Sequence, residues 1–279
     1  MSDRSTWRPG KEIRTDALRG VAQTCLIPLG LRAADARSRS PVLNDRRAAD
    51  ITLKIEIDWD PLRIPEASAC AALVRAREID RRVLAFIMKG GRTAVISIGS
   101  GLDTRMTRLA SIPDVWVDIE LPEVAALRKI LVPDEGPART ISSSFLDTGW
   151  IDEVRSSVSG ARILLVAEGV LNYLPPTPLA TVLLRTAEAL GPCTLLADVM
   201  SRFFAVVARF LAAVRKTGAR IEWGASKPST FERLFPIRLR GLEVYLDPED
   251  HALGDRRGMY RLAFFRDMSR LLVADLVEG

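Results

Sequence analysis

The spacing of apolar residues changes once along the chain, near residue 90. Before that point it is helical. Over residues 16–37, Leu18, Val21, Ala22, Cys25, Leu26 and Leu29 share one face of a 3.6-residue period. Pro28 is predicted to kink or break that helix, because its ring removes a backbone donor. A looser stretch marked by Pro41, Pro61 and Pro65 follows. Residues 68–89 then repeat the helical pattern up to Gly90-Gly91, which reads as a stop. Beyond it come short continuous apolar runs at 93–98, 115–119, 162–167 and 194–198. Such runs suit strands covered on both faces, as in a parallel sheet. Helix-like segments at 104–109, 122–131, 150–158 and 178–190 separate them, so the pattern predicts a doubly wound α/β fold.

Residues 199–216 read as a further helix carrying Phe203, Phe204, Val207, Phe210, Leu211 and Val214, inside a helical insertion spanning about 199–230 after the fifth strand position. Its phenylalanines fit helix packing, and some of the rings could also line a pocket. Residues 241–246 and 271–277 are expected to close the sheet, with an amphipathic helix near 259–268 between them. The expected organisation is one integrated domain, with a helical cap over 1–90 and a sheet-based core over 91–279.

Composition narrows the function classes. Of 279 residues, 48% are hydrophobic and 27% charged, which suits a globular chain with a large core. The net charge is +5 and the basic residues are mostly arginines, scattered and flanked by acids. With aromatics at only 6%, neither a nucleic-acid face nor a stacking platform is expected. Cys25, Cys70 and Cys193 lie far apart and His251 is the single histidine, so no zinc site or other metal is expected. The start of the sequence has no apolar leader and no stretch is long enough to span a bilayer, so a cytoplasmic protein without membrane partners is expected.

The candidate chemistry lies where the first strand ends, at Gly99-Ser100-Gly101-Leu102-Asp103-Thr104-Arg105. Two glycines allow a tight turn and the close approach of a ligand. A nucleotide-type site also needs an acid at the end of the next strand for ribose hydroxyls. Glu120 and Asp118 both meet that need. A dinucleotide site places a third glycine where this chain has Thr104. S-adenosylmethionine has no phosphate but carries an ammonium, a carboxylate and a sulfonium, so it fits the turn better than NAD does. No Tyr-x-x-x-Lys or His–acid pair supports hydride chemistry either.

These residues resemble the leucine carboxyl methyltransferase-like family, which includes eukaryotic phosphatase carboxyl methyltransferases and bacterial polyketide-tailoring enzymes. The segment 96–105 resembles its GxGxDTR motif, and 118–124 followed by Arg128-Lys129 its second-strand motif. Residues 144–147 with 150–152 resemble the third-strand motif, and Ala167-Glu168-Gly169-Val170-Leu171-Asn172-Tyr173-Leu174 the AEGxxxYL signature. The resemblance implies a Rossmann-like class I sheet of seven mostly parallel strands, an N-terminal helical lid, and S-adenosylmethionine as cofactor with S-adenosylhomocysteine as product. It assigns Arg75 to the donor carboxylate, and Gly99, Ser100, Gly101 and Asp103 to the methionine moiety and the turn. Glu120 and Leu121 fall to the ribose, Ser144 and Phe145 to the adenine, and Glu168 to the methionine end. Arg32 is expected to help from the lid. The family's usual aspartate is Glu120 here. The arginine that engages substrate in the eukaryotic branch is Leu146, so a bacterial small-molecule branch is expected.

The expected reaction is O-methylation of a carboxylate on a small natural product. A phenolic hydroxyl, a peptide C-terminus and a non-catalytic cofactor-binding protein are the alternatives. A carboxylate acceptor needs no general base, whereas a phenol benefits from one. His251 is expected on the surface. No catalytic residue is certain from the sequence; Tyr173, Glu168 and Asp198 are the positioning candidates. The partner is a small-molecule acceptor, and the chain is expected as a monomer or homodimer.

Overall fold

The computed structural model describes residues 13–14, 18, 20–210 and 218–277. Its sheet has seven strands: β1 Thr93–Ile98, β2 Val115–Glu120, β3 Ala138–Ser142, β4 Arg162–Ala167, β5 Cys193–Met200, β6 Ile237–Glu243 and β7 Ser269–Leu276. Their order across the sheet is β3-β2-β1-β4-β5-β7-β6, and only β7 runs antiparallel to its neighbours. Ile96 stands opposite Val117 on one side and Leu165 on the other. The strand order reverses between β1 and β4, and a doubly wound sheet opens a crevice beyond the carboxyl ends of its strands there.

Alternation along β1 explains the two covered faces. Ala94, Ile96 and Ile98 pack with Trp150, Ile151 and Val154 of α6 (Gly149–Val158), with Leu179 and Leu183 of α7 (Pro176–Leu190), and near Phe231 of α9 (Pro228–Leu234). Val95, on the opposite face, packs with Val74, Ile79 and Val83 of α3 (Glu66–Ile87). A third cluster joins α1 (Leu26–Ala36) and α2 (Arg46–Thr52) to Leu102 and to Val124 and Leu131 of α5 (Pro122–Leu131). The cap is thereby fixed to the glycine turn and the helix after β2. Two further short helices are α4, Arg105–Arg108, and α8, Arg202–Ala208. No helix among the described residues is long and apolar enough to cross a membrane.

Several expected elements differ. The first helix is interrupted at Thr24-Cys25, and Pro28 sits in the first turn of α1, where a missing N–H has no intrahelical acceptor to lose; Asp16 lies outside the described residues. The cap is not wholly helical, since Ile13–Arg14 pairs with Ile55–Glu56. Strand β3 gave no apolar run because it is an edge strand, with Ile141 its only buried side chain. Strand β6 starts four residues earlier than expected, at Ile237, and carries exposed arginines on the sheet edge. The helix expected near 259–268 is instead two four-residue helices, Arg257–Tyr260 and Ala263–Arg266, preceded by a 3-10 turn at His251–Arg256. The insertion after β5 is only partly helical: β5 runs to Met200, α8 ends at Ala208, and residues 219–226 form no regular element. Leu211 and Val214 lie outside the described residues. Gly224 cannot carry a side chain there, because a Cβ would sit 2.5 Å from that of Ala205.

Trp150 links the core to the site. It is 1% exposed, stacks on Phe145 with ring centroids 5.5 Å apart, and donates Nε1–H to the Phe145 carbonyl at 3.1 Å. Trp150→Ala is expected to cost about 3–5 kcal/mol in denaturant unfolding, through lost burial and the cavity it leaves.

Candidate functional site

The turn after β1 is left-handed at Gly99 (φ +57°) and Gly101 (φ +58°), a conformation glycine adopts without strain. Space is as restrictive as φ. A Cβ on Gly99 would lie 2.7 Å from Val170 Cγ2, and one on Gly101 2.7 Å from Cys25 Cβ. The turn is thus held between the loop after β4 and the cap. Arg128, from α5, donates Nη1–H to the Gly101 carbonyl at 2.7 Å and Nη2–H to Asp118 at 2.7 Å. Asp118 also accepts from Trp116 Nε1 at 3.1 Å, so it serves beneath the turn. Glu120 instead accepts from the Gly101 N–H and faces the cavity, which separates the two acids that the sequence left equivalent. Burial pushes the Glu120 carboxyl up to about 7, against the lowering effect of the Gly101 bond.

Beside the turn lies a buried network of guanidinium and carboxylate groups. Arg105, 2% exposed, reaches Asp80 of α3 at 2.6 Å, Asp103 of the turn at 2.9 Å, and Glu168 at the end of β4. Arg108 holds Asp103 at 2.7 Å and Asp80 at 2.6 Å. Arg75 donates to Glu168 at 3.2 Å and to Asp198 at 3.0 Å, and Asp198 also accepts the Gly169 N–H at 2.5 Å. Burial opposes ionisation of Asp103, yet Arg105 and Arg108 hold its carboxyl far below the usual range. Burial likewise opposes ionisation of Glu168, but Arg75 and Arg105 keep its carboxyl below normal. At Asp198 burial prevails over Arg75 and the Gly169 N–H, and the carboxyl is raised.

The cap is locked to the same turn. Arg32 of α1 donates Nε–H to Asp45 at 2.9 Å and Nη2–H to the Leu102 carbonyl at 2.8 Å. Thr104 donates its hydroxyl to Asp45 at 2.6 Å, and Asp45 caps α2 by accepting the Ala48 N–H at 3.0 Å. A third glycine at position 104 would forfeit this clamp.

A cavity of about 150 Å³ lies between turn, network and cap. Its walls include Gly99, Ser100, Gly101, Asp103, Glu120 and Leu121 on the turn side, Ser144 and Phe145 after β3, and Arg75 and Glu168 across from them. Arg32, Cys25 and Pro28 close it from the cap. Two positioning candidates stand apart from this wall. Asp198 lies behind Arg75, and Tyr173 packs with Met200 and Phe204, its hydroxyl proton held more tightly by burial. His251 is exposed at the start of a 3-10 turn. Sequence reasoning missed Arg105, Asp80, Arg128 and Asp45. Arg105 and Arg128 stand inside or beside motifs, but Asp80 carries no local signal, its partner Arg105 being 25 residues away, and Asp45 reads only as a helix cap, with Arg32 and Thr104 13 and 59 residues away.

The donor set fits a cationic zwitterion better than a dinucleotide. Carboxylates at 45, 80, 103, 118, 120, 168 and 198 outnumber the guanidinium groups of Arg32, Arg75, Arg105, Arg108 and Arg128 in and behind the wall. Every arginine there is already paired, and α4 has only four residues, too short to offer a pyrophosphate much helix dipole. Among the described residues no group of three or more His, Cys, Asp and Glu side chains is arranged to hold a metal ion.

The raised carboxyl at position 120 has a measurable consequence. A group protonated more readily in the folded chain stabilises it fully below the unfolded pKa of about 4.5, and that stability is lost as pH rises through about 7. The melting temperature of the ligand-free protein is therefore expected to fall between about pH 5 and 7 more steeply than that of Glu120→Gln, measured by calorimetry.

Residues 27–187 match the family model described as leucine carboxyl methyltransferase. The chain is 30% identical over 229 residues to the tetracenomycin polyketide synthesis O-methyltransferase TcmP of Streptomyces glaucescens, covering 81% of this chain and 82% of that protein. It is 26% identical over 239 residues to the S-adenosyl-L-methionine-dependent methyltransferase dpfgK of Gibberella zeae, covering 78% and 80%. The crystal structure of a DUF574-family protein from Streptomyces avermitilis shares the fold, with a TM-score of 0.58, 15% identity, and coverage of 93% of this chain and 98% of that one. The glycine turn and its paired carboxylates thus sit in a chain that belongs to the leucine carboxyl methyltransferase family and is an S-adenosylmethionine-dependent methyltransferase.

Proposed function

We propose that the protein O-methylates a carboxylate of a small, polyketide-like natural product. The observation that carries this reading is the lack of a free base around the cavity among the described residues. Glu168 is held ionised by two guanidinium groups, Asp198 is engaged by Arg75 and the Gly169 amide, and Tyr173 is a weaker acid than usual. Glu120, the group nearest neutrality, is bound to the glycine turn, and His251 is exposed. An acceptor that arrives already ionised needs none of them. Leu146, packed against the core, offers no charge to the substrate of a phosphatase-type enzyme. The likeness to TcmP, whose own role is in polyketide synthesis, supports the small-molecule class.

Bound S-adenosylmethionine supplies a methyl group already activated on sulfonium. In this reading Arg75 receives the donor carboxylate with its forked guanidinium, and Glu168 and Asp103 keep the methionine end anionic. Gly99, Ser100 and Gly101 let that moiety approach the backbone. Glu120 and Leu121 take the ribose, and Ser144 and Phe145 form the adenine slot. Tyr173 and Asp198 position groups at the acceptor end. Residues 1–90 act as a lid in one unit with the core, and Arg32 fastens it, which keeps water from the reacting atoms.

Titration calorimetry tests the donor site. S-adenosylmethionine and S-adenosylhomocysteine are expected to bind the wild type, NAD is not, and Arg75→Ala is expected to weaken both adenosyl ligands by about 10- to 100-fold, as loss of a charged hydrogen bond does. Binding of neither adenosyl ligand would sink the assignment.

Methyl-labelled donor and a panel of aromatic polyketide acids test the acceptor. The label is expected to be released by dilute alkali, as from a methyl ester, with kcat/KM flat from about pH 8 to 9, above the Glu120 transition near 7. An alkali-stable ether formed at a rate rising with pH would identify a phenolic acceptor instead.

A further inference from the structure

A hollow larger than the cofactor cavity lies elsewhere among the described residues. It is an open trough of about 910 Å³ at the amino ends of β4 and β5, on the α3 face of the sheet. The cause is uneven cover. The short helices between 251 and 266 bring Leu253 and Tyr260 against that face near the carboxyl end, beside Tyr245 and Leu271. Nothing corresponding covers the amino end among the described residues. Phe86 and Ala85 of α3 and Val273 of β7 remain partly open there, above buried Leu164 and Leu196.

Two walls rise from this floor, and both are basic. Arg81 and Arg82 stand on the last turns of α3 and Lys89 just beyond its end, while Arg238 and Arg240 project from the edge strand β6. Arg162 lies at the base, over the Phe86 ring at 4.6 Å, and donates to the Phe86 and Gly90 carbonyls. Asp275 is the single carboxylate in the lining, and Arg238 and Arg240 share it at 3.6 and 2.7 Å. Arg82 pairs with Glu243 and Arg81 with Glu78, which stand outside the lining. Among the described residues Lys89 has no ion pair. Cations remain in clear excess, and Arg81, Arg238 and Arg240 are 69%, 74% and 57% exposed.

We propose that this trough is a docking site for an acidic amphipathic helix of a partner protein. The space suits about two turns of a helix ~10–12 Å across. An apolar stripe would lie on Phe86 and Val273, and acidic flanks would meet the two basic walls, the helix-in-groove arrangement. The charge excludes closer occupants. Residues 1–12 and 211–217 of this chain are themselves net basic, and two copies of the rim facing each other would repel. The site lies at the opposite end of the strands from the cofactor cavity, so docking leaves the methyl-transfer face open.

The probe is a fluorescein-labelled peptide of ~16 residues, about four turns, with leucines on one helical face and glutamates elsewhere. A second peptide carries lysine in place of each glutamate. Fluorescence anisotropy is expected to show binding of the glutamate peptide alone, weakening as salt is raised. Affinity is expected to fall about tenfold or more in Arg238→Glu/Arg240→Glu and, on the other wall, in Arg81→Glu/Lys89→Glu. Circular dichroism and S-adenosylmethionine affinity, expected to match wild type, confirm that each variant is folded; either wall suffices if the other variant fails. Equal affinity for wild type and variants, binding of the lysine peptide, or no binding at all would overturn the proposal. So would a wild-type dimer, seen by sedimentation, that both variants split, since a second copy would then fill the trough.

Discussion

Everything around the cavity depends on the burial of Arg105. Its guanidinium is 2% exposed, and its partners come from a helix of the first hundred residues, from the glycine turn, and from the end of β4. Removing a charge from water costs several kcal/mol, which is recovered only when the partners are arranged to satisfy it fully. Asp80, Asp103 and Glu168 meet that condition together. The network therefore acts less as a source of stability than as a condition on geometry: α3, the turn and β4 must meet in one arrangement or leave a charge stranded. That fixes where Arg75 stands, because it shares Glu168 with Arg105.

Much of this was legible in the sequence, and the legible parts share a physical cause. Strands β1, β2, β4 and β5 are buried on both faces and so read as continuous apolar runs. Helices α3, α5, α6 and α7 each bury one stripe and show the 3.6-residue period. Where a strand lies at an edge the signal fades: Ala138–Ser142 buries one side chain, and β6 alternates with exposed arginines. The segment 259–268 gave a misleading period because only some of its apolar residues are buried: Tyr260 joins the core while Leu262 and Phe264 stay exposed.

The site divides along the same line. Residues within motifs could be named from the sequence, and those named for the cofactor do face one cavity. The groups that hold them could not. Asp45 is an ordinary helix cap by sequence, yet it receives Arg32 and Thr104 from elsewhere in the chain. Asp118 and Glu120 are equivalent by spacing, and only the reach of Arg128 from α5 tells them apart. Long-range ion pairing leaves no period to read.

The clamp between cap and turn bears on timing. Cys25, Pro28 and Arg32 line the cavity on the cap side, and Arg32 and Thr104 tie that cap to the turn through the Leu102 carbonyl and Asp45. Under the proposed lid role, a cap that swings aside to exchange spent donor for fresh would have to part those buried bonds. Enzymes built in this way often turn over at the pace of opening rather than of chemistry. The hydroxyl of Thr104, which distinguishes this turn from a dinucleotide loop, would on that reading also act as a brake on the catalytic cycle.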